Sequence, residues 1–280
     1  MPSPITTTVD EPGIHMVTVD APPVNALTVQ GWFDLANAIA EAGRDPSCHV
    51  VVVRAAGRGF NAGVDIKEID AAQAAGDGYG ALIGANQGCA AAFSAVYDCA
   101  VPVIVAVNGF CLGGGIGLVG NADVVVASDD ATFGLPEVDR GALGAATHLA
   151  RLVPQHLMRT LYFTAGTVTA QQLHHFGSVY RVVPRAELDD AALEVARAIA
   201  AKDTRVIRKA KEAINGIDPV NVHTSYRFEQ GFTFELNLAG YSDEHRREFV
   251  ATGRTVGDAS SAGSGASERP VSDDAAQENA

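Results

Sequence analysis

Arg58-Gly59-Phe60-Asn61-Ala62-Gly63-Val64-Asp65-Ile66-Lys67 is one of two segments that decide how this chain folds. The other is Val103-Ile104-Val105-Ala106-Val107-Asn108-Gly109-Phe110-Cys111-Leu112-Gly113-Gly114-Gly115. Each reads as a short apolar strand that breaks into a glycine turn and then opens a helix. Two such turns can aim two backbone N–H groups at one point, which is what stabilising a developing negative charge on a carbonyl oxygen requires. A helix beginning behind Gly113 would add its free amides and its dipole. The pairing carries the argument, because a single glycine loop is common.

Outward from these segments the chain alternates strands and helices. Ile14–Val19 alternates in hydrophobicity and reads as a strand, broken by Pro22-Pro23. Thr28 can cap a helix running to about Ala42, with Phe33, Leu35, Ala36 and Ile39 near its apolar side and Gly43 at its end. Residues 50–54 are β-branched up to Arg54 and read as a buried strand, and 71–80 is rich in Ala, Gly and Asp and expected to be mobile. A helix over 82–97, a strand at Val103–Val107, a short helix at Gly114–Asn121 and a strand at Val124–Ser128 follow. Strand–helix alternation with short crossovers indicates an α/β class fold. From about Leu188 the pattern is helical only, over 188–201, 204–215 and 221–238. The expected layout is an α/β core over 1–187, a helical appendage over 188–251, and a disordered tail over 252–280, which is rich in Ser, Ala, Gly and Asp.

Composition narrows the partners. The 280 residues carry a formal charge of −13, which argues against nucleic acid and anionic membranes as partners. It leaves room for an anionic ligand met by a few local cations. Cys48, Cys89, Cys99 and Cys111 show no metal-type spacing, and no metal site is expected. The N-terminal residues have neither a basic nor an apolar leader region, and the apolar run near Val101 is far short of the ~20 residues a membrane span needs. A reducing, cytoplasmic setting is the default.

Three ordered motifs carry a resemblance. Phe-x-Ala-Gly-x-Asp-Ile-Lys at 60–67, Asn-Gly-x-x-x-Gly-Gly-Gly at 108–115 and Phe-Gly-x-Pro-Glu at 133–137 resemble the crotonase (enoyl-CoA hydratase/isomerase) superfamily, from about residue 5 to about residue 250. The resemblance implies a ββα spiral core with a helical C-terminal appendage, assembled as a homotrimer or as a hexamer made of two trimers. It implies an acyl-CoA substrate, with coenzyme A as part of the substrate and no separate cofactor. Carried over by motif, Val64 N–H and Gly114 N–H would hold the thioester enolate and Glu137 would be the acid/base. Ala62 and Ile66 would lie near the adenine and pantetheine. Residues 109–152 and 228–240 resemble an actinobacterial branch of ring-opening hydrolases of late steroid degradation, acting on a methyl-dioxo-hydroindene carboxyl-CoA. The implied alternative is an enoyl-CoA hydratase or Δ3-Δ2-enoyl-CoA isomerase.

Gly117 is the main departure. Hydratases of the resembled family place a second glutamate three residues after the oxyanion glycine, and here that position is glycine. Syn hydration is easiest with two carboxylates sharing one water, so the departure argues against ordinary hydratase activity. Glycine there is also expected to widen the acyl cavity. Asp139 and Arg140 are expected either to tune Glu137 or to form a solvated pair. His148, at the start of a helix, is a second acid/base candidate or a structural histidine. Arg58 and Lys67 are candidates to meet the CoA phosphates, or are exposed cations. Asp65, in the same CoA-facing segment, is expected to cap the helix that follows it. Phe93, Tyr97, Phe110 and Leu112 are candidates for the acyl pocket, with core packing an equal alternative for the first two. Gly115-x-Gly117-x-x-Gly120 matches a dinucleotide fingerprint literally, but the strand and crossover helix which that fingerprint needs are missing around it.

Overall fold

The computed structural model of the chain describes residues 3–253, so the expected tail lies, from residue 254 on, outside the described residues. The first half alternates as expected: β1 (Ile5–Glu11), β2 (Ile14–Val19), α1 (Val29–Arg44), β3 (Val50–Ala55), α2 (Ile66–Ala74), α3 (Gly78–Tyr97), β4 (Val103–Val107), β5 (Phe110–Leu112), α4 (Gly114–Asn121), β6 (Val124–Ser128) and β7 (Thr132–Gly134). The second half holds α5 (Ala146–Leu149), α6 (Gln155–Thr164), β8 (Thr167–Thr169), α7 (Ala170–Phe176), β9 (Arg181–Val183), α8 (Leu188–Ala200), α9 (Thr204–Gly216), α10 (Val222–Leu238) and α11 (Tyr241–Thr252).

The main sheet has the order β1-β2-β3-β4-β6-β9, parallel except for the β1–β2 hairpin, and β5, β7 and β8 form a second sheet. A parallel sheet covered on both faces needs strands that are apolar on both faces. The run Val50-Val51-Val52-Val53 meets that need. Val51 and Val53 point into the larger core with Trp32, Leu35 and Ile39 of α1 and Phe93 and Val96 of α3. Val50 and Val52 point to the other face, with Ile104, Ala106 and Leu188, Ala192 and Ala196 of α8. The first helix of the 188–251 region therefore packs on the sheet and completes its second layer. Lys211 on α9 is buried, and its ammonium donates to both Asp123 oxygens at 2.7 and 2.8 Å. Asp123 in turn accepts the Val103 N–H at 2.8 Å, which ties α9 to the start of β4.

Two local expectations are corrected, and one strand was not anticipated. Gly43 does not end α1; the helix runs to Arg44, and a Cβ at Gly43 would lie 2.7 Å from the Cys99 sulfur, so glycine is needed there for close approach. The 71–80 stretch is the end of α2, a turn and the first residues of α3; Asp65 caps α2 by accepting the Lys67 N–H at 3.0 Å, and Ile69 anchors it in the core. β1 had no sequence signal because its residues Thr6–Asp10 are solvent-facing on the sheet edge, so no apolar face marks it.

Candidate active site

The two glycine turns are laced together by backbone and by one buried side chain. Phe60 N–H donates to the carbonyls of Asn108 (2.8 Å) and Phe110 (2.9 Å), and Leu112 N–H donates to Asn61 O (2.8 Å). Asn61 is buried; its Nδ2 donates to Asn25 O at 2.6 Å and its Oδ1 accepts the Gly63 N–H at 2.8 Å. Leu27 N–H donates to Gly63 O and Asp65 N–H donates to Leu27 O, both at 2.9 Å. That bridge uses the Gly63 carbonyl and the Asp65 N–H, Asn61 Oδ1 takes the Gly63 N–H, and Val64 N–H is engaged in none of these bonds. Gly63 (φ +86°) and Gly113 (φ +58°) occupy the left-handed region that favours glycine. A Cβ at Gly63 would sit 3.2 Å from Gly114 N, and one at Gly114 only 2.6 Å from the Trp32 ring. The turns meet backbone to backbone, and Val64 and Gly114 line one cavity.

Glu137 lines the same cavity. It stands at the start of the 3-10 turn Pro136–Arg140, where Pro136 fixes the backbone after β7. Its Oε1 lies 2.7 Å from where a Gly113 Cβ would be. The residue as a whole is half-buried, yet its Oε2 is sealed from solvent and has no hydrogen-bond partner. Burial pushes its carboxyl up to about 8; its own backbone N–H and the Arg140 charge pull the other way, and the Glu229 charge adds to the rise. Glu229, on α10, accepts the Ala146 N–H with both oxygens at 3.0 Å and the Tyr162 hydroxyl at 2.8 Å. Burial raises this second carboxyl too, against those hydrogen bonds. The pair fixes the segment that carries Gly144 and Ala145, which walls the cavity facing Glu137.

Ala62, Val64, Ile66, Phe93, Gly114 and Glu137 thus come together around one hollow. The remaining candidates lie elsewhere. Arg58 is exposed, its guanidinium 5.7 Å from the centre of the Phe110 ring, and Lys67 is exposed on α2. The Phe110 ring occupies the space a Cβ at Gly59 would fill (2.5 Å), so it packs the two turns together rather than lining the cavity. Leu112 is half-buried in β5, outside the lining. Tyr97 points away, its hydroxyl 3.2 Å from Asn215 O and 3.3 Å from Asp218 Oδ2. Gly117 does not widen the cavity: a Cβ there would lie 2.2 Å from the Phe93 ring, which already fills the space.

His148 is separated from Glu137 by aromatic rings. It stacks edge-on against Phe93 (4.9 Å) and Tyr226 (5.1 Å) and lines a smaller hollow behind them with Asn121 and His223. Burial pushes its imidazole down to about 3, helped by the charges of Arg151 and His223, and its Nδ1 has no partner. The fingerprint glycines serve packing: a Cβ at Gly115 would meet Cys111 and Asn61, and one at Gly120 would lie 2.4 Å from His148 O. Sequence reasoning missed Glu229, Tyr226, Asn237 and Arg246, which α10 and α11 bring in or near the site from over 80 residues beyond Glu137. Only their place on helices was readable.

Comparison with known proteins shows the chain's relatives. The chain is 76% identical over 250 residues to the (7aS)-7a-methyl-1,5-dioxo-2,3,5,6,7,7a-hexahydro-1H-indene-carboxyl-CoA hydrolase of Rhodococcus jostii (strain RHA1), covering 89% of this chain and 95% of that protein. It is 69% identical over 247 residues to the hydrolase of the same description from Mycobacterium tuberculosis (strain ATCC 25618 / H37Rv), covering 88% of this chain and 98% of that one. Among solved structures, an enoyl-CoA hydratase/isomerase from Xanthobacter autotrophicus Py2 superposes with a TM-score of 0.81 at 26% identity, covering 90% of this chain and 95% of the other. With residues 10–240 also matching the family described as enoyl-CoA hydratase/isomerase, the abutting glycine turns and the acid set beside them have their explanation in descent: this chain belongs to the crotonase (enoyl-CoA hydratase/isomerase) family.

Proposed function

We propose that this chain is a hydrolase that opens a ring of (7aS)-7a-methyl-1,5-dioxo-2,3,5,6,7,7a-hexahydro-1H-indene-carboxyl-CoA by adding water across a carbon–carbon bond. The observation that carries this reading is the 76% identity over 89% of the chain to the Rhodococcus hydrolase. The chemistry of that compound fits the site. Its ring ketone at C1 adjoins the quaternary C7a, and the remaining ring double bond, C3a=C4, is conjugated to C7a once the C1–C7a bond breaks. Glu137, ionised, takes a proton from water as the oxygen adds to C1. The C1–C7a bond then breaks, C1 becomes a carboxylate, and the electron pair passes through the double bond to a carbonyl oxygen. In this reading Val64 N–H and Gly114 N–H receive that charge on the thioester oxygen, and carbon regains a proton. One such donor is worth about 3 kcal/mol. The substrate brings its own coenzyme A, and the reading needs no further cofactor or metal.

The hydratase alternative is weaker, because the position of the second glutamate is Gly117 and its space is filled by Phe93. The test is direct. The purified protein is given the indene-carboxyl-CoA ester and, separately, crotonyl-CoA. Conversion of the first to a product heavier by one water, with crotonyl-CoA untouched, is the expected result. Rapid hydration of crotonyl-CoA with no ring opening overturns it. We further propose that the protein works in the cytoplasm as a trimer or a pair of trimers. Exposed Ile214 and Ile217 at the end of α9 and exposed Phe228 and Leu238 on α10 supply apolar surface for such an assembly, which sedimentation would measure.

A further inference from the structure

Among the described residues two guanidinium groups line the cavity, in a chain whose net charge is −13. Arg140 follows Glu137 by three residues on the same 3-10 turn. Its guanidinium lies over the Phe249 ring of α11, 4.6 Å from the centroid. Its Nε is sealed from solvent and has no hydrogen-bond partner among the described residues. Among the described residues no carboxylate lies within ion-pair distance of it. Arg246, one turn before Phe249, donates to Asn237 Oδ1 at 2.6 Å and pairs with Asp243. Asp243 therefore serves Arg246 and also accepts a hydrogen bond from Gln73, while Arg140 has no such pair among the described residues.

Holding a cation out of water without a partner is costly, and the cost is recovered when an anion completes the pair. A guanidinium presents its donors as a planar fork that matches a carboxylate. Phe249 covers one face of the Arg140 fork, which leaves its in-plane donors for a ligand. Ile66, Ile69, Leu82 and Phe93 give the cavity apolar walls beside a few polar groups, Glu137 and Asn86 among them, so it suits a mainly hydrocarbon acyl group with a charged end.

We infer that Arg140 and Arg246 form a carboxylate site in the acyl cavity, which takes the carboxylate that ring opening creates on the acyl group. The inference rests on the proposed ring opening for the identity of that carboxylate. The site itself would bind any acyl-CoA bearing a free acid at a suitable distance from the thioester.

The experiment compares adipoyl-CoA, which carries a terminal carboxylate, with its terminal amide, which is nearly the same shape and uncharged. Binding of each to the full chain is measured by calorimetry. The carboxylate ester should bind roughly tenfold or more tightly, as expected for hydrogen bonds to a charged group. Arg140→Gln and Arg246→Gln should each remove that preference while leaving the amide's affinity in place, which also shows that the variants are folded. Should either Gln variant not fold, Arg140→Lys and Arg246→Lys keep the charge without the fork and should show a reduced preference. Equal affinity of the unaltered protein for the two esters overturns the inference, as does an undiminished preference in the variants. The ring-opening assay is read separately. Preference without ring opening removes the proposed reaction and leaves the carboxylate site; ring opening without preference does the reverse.

Discussion

Glu137 and His148 are both titratable groups withdrawn from water, and they stand in two hollows that share Phe93 and Tyr226 as walls. Burial moves each toward its neutral form, so the two respond to pH in opposite senses. The Glu137 carboxyl is lifted to about 8 and the His148 imidazole is lowered to about 3. Glu137 lines the larger hollow beside both glycine turns, with an unpartnered oxygen and an arginine nearby. It therefore gains or loses its proton within an accessible pH range, next to where a substrate carbonyl would be held. His148 is caged by rings, and it stays uncharged across that range. The difference teaches that burial alone does not make a group a candidate for catalysis; what the group faces does.

The largest expected effect comes from removing the base. Glu137→Gln keeps the size of the side chain, and ring opening should fall by about 10²–10⁴-fold with CoA-ester binding nearly unchanged. Full turnover in this variant would move the role of base to another group. Next is the pH profile. In the proposed mechanism the ionised form of Glu137 is the base, so kcat/KM should rise about tenfold per pH unit from neutrality and level off above about 8. A profile already flat at neutral pH would mean that Glu137 is ionised there.

Gly117→Ala tests the wall between the hollows. Its Cβ would press into the Phe93 ring, and overpacking of this kind costs about 1–3 kcal/mol, read from denaturant unfolding. Combining it with Phe93→Leu should recover part of that loss; strict additivity of the two changes would show that they do not share the space. The smallest effect on turnover is expected at His148. Between about 6.5 and about 3 the unfolded histidine binds a proton that the native one does not, so His148 weakens the fold as pH falls through that window, by up to about 1.4 kcal/mol per pH unit. His148→Phe should keep ring opening near its original rate and lose less stability on acidification. Glu137 acts in the other direction. The unfolded carboxyl loses its proton near 4.5 and the native one near 8, so stability declines as pH rises between them, and Glu137→Gln should flatten that decline. An acid-stability curve for His148→Phe that overlays the original one would dissolve the contrast.

What was legible in the sequence was local. The glycine turns, the Asp65 and Thr28 caps and the α4 bounds each depend on residues within a few positions of one another, and each could be read from composition and spacing. Glu137 was legible through its motif. The partition between the hollows was not, because Gly117 and Phe93 lie 24 residues apart and meet only after α3 packs on α4. For His148 the sequence left an acid/base and a structural reading side by side, because nothing near it in sequence announces the Phe93 and Tyr226 rings that enclose it. Arg246 and Glu229 are ordinary charges on helices until α10 and α11 fold back over the cavity.

The three glycines where the turns meet carry one more consequence. A Cβ at Gly114 would be driven into the Trp32 ring, and Gly63 (φ +86°) and Gly113 (φ +58°) hold a backbone conformation that side chains rarely adopt, so a substitution at any of the three is strained. They form a fixed point in the landscape of tolerated mutation. A change in which acyl group fits is therefore easier to make in the surrounding walls than where the two turns meet.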